Sequence, residues 1–148
     1  MFKRAGGGGR RKKTVLAREE PLARVPPPPE LLGDDARDMW IKQFAYLQDS
    51  NLIGPENFPL LVQYCNSWQH IVWCYRTLMA HAKNEPESYG ITCKSADGTL
   101  KLNPAIRARS THVNMLIRAG SLLGLDPVSR SRTVVSKVAK EDNPFIGH

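Results

Sequence analysis

Residues 56–83, ENFPLLVQYCNSWQHIVWCYRTLMAHAK, hold the strongest constraint on the fold. Helical spacing predicts one long helix here. Pro55 stands near its start and Pro59 in its first turn, where a missing N–H is tolerated. One apolar stripe runs through Phe58, Leu61, Cys65, Trp68, Val72, Tyr75 and Met79, and a second through Leu60, Tyr64, Ile71, Leu78 and Ala82. A helix apolar on two sides must be covered on two sides. At about 1.5 Å per residue this is a rod of about 40 Å, more than two further helices can enclose. The surplus predicts self-association, with Trp40, Tyr64, Trp68, Ile71 and Tyr75 as the expected oligomer interface.

Two shorter helices flank it. Residues 34–49 repeat Ala36, Trp40, Phe44 and Leu47 at helical spacing; Asp34 is expected to cap this helix, and Asp35 and Asp38 suit its positive N-terminal end. Asn103-Pro104 opens a helix over about 104–123 that stops at Gly124, with Leu125 expected to pack back against it. Its apolar face is read as Ile106, Val113, Ile117 and Gly120, widened by Leu116, Ala119 and Leu123. Arg107, Thr111, Asn114 and Arg118 fall within about 40° of one another, a polar, basic stripe. Between the second and third helices, Asp97-Gly98 separates two short extended runs, a hairpin signal. The expected fold is mainly α: about three helices with a long central one and a short extended hairpin, assembling into a ring. Its divisions are a flexible basic arm and Pro-rich leader (1–29), a helical oligomerisation core (30–132) and a basic, mobile C-terminal tail (133–148).

Charge narrows the partner. The 148 residues carry +7 overall, unevenly placed. Residues 1–29 hold eight Lys/Arg against two Glu, residues 30–93 four basic against eight acidic, and residues 94–148 nine against four. Two basic ends around an acidic middle point to a polyanion, most simply nucleic acid. The DNA contacts are placed on Lys3, Arg4, Arg10, Arg11, Lys12 and Lys13 of the arm, Arg107 and Arg118 of the third helix, and Arg130, Arg132, Lys137 and Lys140 of the C-terminal region. No apolar run approaches the roughly 20 residues of a membrane span. No signal peptide is read, and three scattered cysteines argue against a disulfide framework, so the expected location is cytoplasmic.

Enzyme chemistry finds no foothold. Cys65 and Cys74 lie nine residues apart, about 900° around the helix, on opposite faces. His70 and Cys74 share a face, but two ligands are too few for a structural zinc. Gly6 to Gly9 lacks the Gly-Lys-Ser/Thr of a phosphate loop. No metal, cofactor or catalytic residue is assigned. A helix-turn-helix reading of the first two helices fails on charge: the first is net acidic, and the second offers only Arg76 and Lys83 to a groove.

Four segments in order carry a resemblance: PPPPELLGDDARDMW at 26–40, LIGPENFPLLVQYC at 52–65, YGITCKSADGTLKLNPAI at 89–106 and LLGLDPVSRSR at 122–132. Over residues 26–132 the chain resembles the small terminase subunits of tailed phages, in the branch with a Pro-rich leader and a Gly-Leu-x-Pro-x-Ser/Ala-Arg-x-Arg ending. The resemblance implies a non-enzymatic ring in the host cytoplasm that recognises double-stranded viral DNA. It also implies delivery of that DNA to the large terminase subunit, which carries the ATPase and nuclease. Many such subunits bear an N-terminal helix-turn-helix domain. There is no room for one before Pro26, so DNA binding is assigned to the basic ends and the third helix. A dimeric helical DNA-binding regulator and a ring adaptor without a DNA role fit the same charge pattern; native mass and salt-sensitive DNA binding separate them.

Overall fold

The computed structural model describes residues 25–131. The arm residues before Val25 and the tail from Arg132 onward lie outside the described residues, as do the expectations placed on them. The elements are α1 (Asp34–Asp49), a 3₁₀ turn (Pro55–Asn57), α2 (Phe58–Asn84), a second 3₁₀ turn (Pro86–Ser88), β1 (Thr92–Lys94), β2 (Leu100–Leu102) and α3 (Pro104–Leu123). A last helical turn covers 127–131. α2 is the shared element, packing against both α1 and α3.

The core lies between α1 and the first half of α2. Ala36, Trp40, Phe44 and Leu47, the stripe expected of α1, are all buried there, together with Leu52, Ile53, Leu61 and Cys65. Trp40 stacks on Phe44 at 5.7 Å between ring centroids, and Phe58 meets both rings edge-on at 5.9 Å. Such offset and edge-to-face pairs add to the apolar burial itself. The Trp40 indole N–H donates to the Val25 carbonyl at 3.4 Å, and Leu31 is buried in the same cluster. Val25 and Leu31 thereby tie the end of the Pro-rich stretch to the core.

The start of α1 departs from the sequence reading. Asp34 does not cap the helix; the N-cap is Gly33, whose side supplies no cap at all. The Ala36 N–H instead donates to Oε1 of Gln69 at 3.0 Å, and the Leu32 N–H to Oδ1 of Asn66 at 3.0 Å. The Gln69 amide of α2 thus satisfies a donor that a helix N-terminus leaves open, and Asn66 holds the residue just before the N-cap. Gln69 completes its hydrogen bonding by donating Nε2–H to Asp35, 3.0 Å away. Gly33 is required by this arrangement: a Cβ there would lie 2.6 Å from the Gln69 oxygen.

α3 has the expected bounds. Asn103 accepts the Ala105 N–H at 3.0 Å as N-cap, and Gly124 ends the helix at φ 77°, a left-handed conformation open to glycine. The Leu125 N–H returns to the Gly120 carbonyl at 2.8 Å, and Leu125 packs on the core. The apolar face is narrower than expected. Ala119, Gly120 and Leu123 are buried, but Ile117 is 60% exposed, because α2 covers only one side of α3.

The hairpin is antiparallel, with Thr92 opposite Leu102 and Lys94 opposite Leu100. Asp97-Gly98 forms its turn, where the Asp97 carboxylate accepts the Thr99 N–H at 3.1 Å. His81 fastens the hairpin to α2 by donating Nε2–H to the Thr92 carbonyl at 2.8 Å.

Candidate nucleic-acid and assembly surfaces

Arg107, Thr111, Asn114 and Arg118 all face solvent along α3. At the N-terminal end of this stripe lies a shallow cleft of about 590 Å³ lined by Lys101, Leu102, Asn103, Pro104, Arg107 and Thr111. Lys101 comes from β2, so the hairpin adds a cation to the row. Sequence reasoning missed Lys101 because two three-residue strands give too little periodicity to assign it a face. Toward the other end, Arg118 lines a second cleft with Thr111, Asn114, Met115, Ile117 and Leu122. Cations and hydroxyl or amide groups in one exposed row have the chemistry of phosphate contact.

Arg130 is exposed but tethered. Its Nη1 donates to the Tyr46 hydroxyl at 3.3 Å, and its guanidinium lies 5.8 Å from the Tyr46 ring centre. Beyond Leu125 the chain does not simply run into solvent: Asp126 opens a further helical turn. Its carboxylate accepts the Ser129 N–H at 2.9 Å and the Ser129 hydroxyl at 2.6 Å. These two bonds hold the Asp126 carboxyl well below its usual range, at about 2. Ser129 is buried, and its Oγ also lies 3.1 Å from the Ser121 carbonyl. Arg130 is carried back toward α1 by that turn. Lys3, Arg4, Arg10, Arg11, Lys12, Lys13, Arg132, Lys137 and Lys140 lie outside the described residues.

The expected interface set divides in two. Trp40 and Ile71 are 1% and 3% exposed, closed over by the protomer's own helices, and present nothing to a neighbour. A helical stripe does not tell a cis partner from a trans one. Tyr64 and Trp68 are half-buried, and Tyr64 lies against Gly120 of α3. Burial raises the Tyr64 phenol above its usual range, with a smaller push from Cys65. Tyr75 is 48% exposed, with the Arg109 guanidinium 5.3 Å above its ring.

Helix length explains the division. α1, with 16 residues, spans about 24 Å against about 40 Å for the 27 residues of α2. The first turn of α1 meets α2 at Gln69 and Arg76, where Asp35 pairs with Arg76 at 3.1 Å. α1 then runs back toward Phe58, leaving Trp73, Tyr75 and Met79 of α2 in solvent.

No catalytic constellation accompanies these surfaces. Among the described residues no three His, Cys, Asp or Glu side chains are grouped to hold a metal ion. Burial pushes the Cys65 thiol up to about 12, which keeps it protonated and weakly nucleophilic. His70, considered for a two-ligand site with Cys74, is stacked on His112 instead. No helix among the described residues is long and apolar enough to cross a membrane.

The fold and surfaces define a small helical protein with a basic outer row and an uncovered apolar helix end. Residues 36–140 match the family model of the phage terminase small subunit, and the chain belongs to that family. The family is generally the non-catalytic, regulatory subunit of its packaging machinery. No curated protein and no solved structure matches the chain.

Proposed function

We propose that this chain is the DNA-recognition subunit of a viral packaging motor, acting in the host cytoplasm. It self-assembles through the face of α2 that exposes Trp73, Tyr75 and Met79, engages double-stranded viral DNA and delivers it to the large terminase subunit. The observation carrying the reading is the exposed row of Lys101, Arg107, Thr111, Asn114 and Arg118 in a chain of this family. The basic arm and tail add non-specific attraction, and α3 supplies the ordered contacts. A ring is the form in which head-to-tail contacts close, and Trp68, Tyr75 and Met79 are the side chains it would use.

The test is duplex-DNA affinity as a function of salt for the wild type and for Arg107→Ala/Arg118→Ala. Each lost phosphate contact lowers the logarithmic salt slope by about 0.9. Loss of one to two units of slope with an intact fold supports the reading. An unchanged slope and affinity removes α3 from the DNA surface.

A further inference from the structure

We propose that His70 and His112 form a proton-sensitive latch that docks α3 onto α2 when both rings are neutral and loosens it in mild acid. The two rings lie 4.2 Å apart between centroids and 14° from parallel, one from each helix. On its other side His70 meets Trp73 edge-on at 5.4 Å. Nδ1 of His112 is shut off from solvent and has no hydrogen-bond partner, the one such buried side-chain nitrogen or oxygen among the described residues.

This geometry suits neutral imidazoles only. Two flat neutral rings stack as any aromatic pair does. A proton on Nδ1 of His112 would place a donor where nothing accepts it and a charge over the face of His70. Protonating both rings would set two cations face to face across the helix contact. The surroundings offer no relief. Near the pair α3 carries Arg109, whose guanidinium is over Tyr75, and α2 carries Cys74 and Arg76, the latter paired with Asp35 of α1. Neither ring has a carboxylate within ion-pair distance among the described residues, whereas His81 has Glu85 at 3.8 Å. Burial, and then the neighbouring His70, lower the proton affinity of His112 below that of a free imidazole.

The sign follows from that direction. A histidine whose folded pKa is depressed contributes nothing against folding while neutral. Its penalty grows as pH falls through the ordinary histidine value toward the depressed one. The penalty falls on the α2–α3 contact, where the two rings meet. α3 carries the exposed basic row, so mild acid loosens the element that presents it.

The experiment compares the melting midpoint of the full chain at about pH 7.5 and about pH 5.5, the range in which histidine titrates. The wild type should lose about 3 to 5 °C. His112→Phe, which keeps a flat ring and removes the proton site, should lose almost none of it, and His81→Gln should lose as much as the wild type. A wild-type midpoint that does not move, or an equal fall in His112→Phe, overturns the latch. If His112→Phe does not fold, the wild-type imidazole resonances decide. Titration of His112 accompanied by shifts at Ala108 and Leu116 supports the proposal; titration that leaves those residues unmoved overturns it.

Discussion

Toward α1, helix α2 presents Phe58, Leu61 and Cys65, which close with Trp40, Phe44 and Leu47 into an apolar cluster. Toward α3 it presents Gln63, Tyr64, Ser67 and His70, which meet Met115, Gly120 and His112. The first contact is aromatic and aliphatic and is closed at one end by the Gln69 and Asn66 amides. The second adds polar and stacked-ring contacts to the apolar docking of Ala119 and Leu123: Ser67 is buried but spends its hydroxyl on the Gln63 carbonyl of its own helix, 2.8 Å away. Close apolar packing resists change because removed atoms leave a cavity. A polar contact between helices holds only while each group keeps its partner and its protonation state. The α1 side therefore sets whether the protomer folds, and the α3 side sets how firmly its functional face is held.

The largest effect should come from the α1 side. Trp40→Ala removes the centre of the three-ring cluster and should cost about 3–5 kcal/mol, measured by urea denaturation. An effect below about 1 kcal/mol would mean that the α1 contact is not the stabilising one.

Next is the tertiary cap. Gln69→Ala strips the acceptor from the Ala36 N–H and the donor from Asp35, and should cost roughly 1–3 kcal/mol. Gly33→Ala places its Cβ against the same amide and should cost a comparable amount. If either variant melts like the wild type, α1 does not depend on α2 for its N-terminus.

The C-terminal turn should respond to acid alone. Asp126 has a depressed pKa, so its contribution is present above the ordinary carboxylate range and is lost as pH falls through about 2. Amide exchange at Ser129 and the Tyr46 resonances should report release of the 127–131 turn in that window. Asp126→Asn should remove the transition. A turn that stays fixed at pH 1.5 in the wild type would contradict the assignment.

Arg107→Ala and Arg118→Ala should change stability by less than about 0.5 kcal/mol each, since both side chains are solvated. A larger loss would make the row a structural feature of α3.

The sequence reading reached the helices because their signals are local. The acidic start at Asp34, the Asn103-Pro104 cap and the Gly124 stop each act within one turn of the residue that carries them. It also reached the exposed row of α3, since four polar positions on one side of a helix are read from spacing alone. What it missed depends on contacts between distant positions. Gln69 reaching Ala36, His70 stacking on His112 and Arg130 resting on Tyr46 join residues 33, 42 and 84 positions apart. Such pairs leave no periodic trace. The same limit applies to Trp40 and Ile71, buried within the protomer, since a buried stripe looks alike whether its cover is the same chain or another copy.

The central claim is that the half of α2 beyond the reach of α1 is an assembly face on an otherwise self-sufficient protomer. Sedimentation velocity at micromolar concentration, on the wild type and on Tyr75→Glu/Met79→Glu, tests it most directly. The account expects a closed oligomer of several subunits for the wild type, and folded protomers of unchanged helical content for the variant. A wild type that sediments as a well-folded monomer would contradict it.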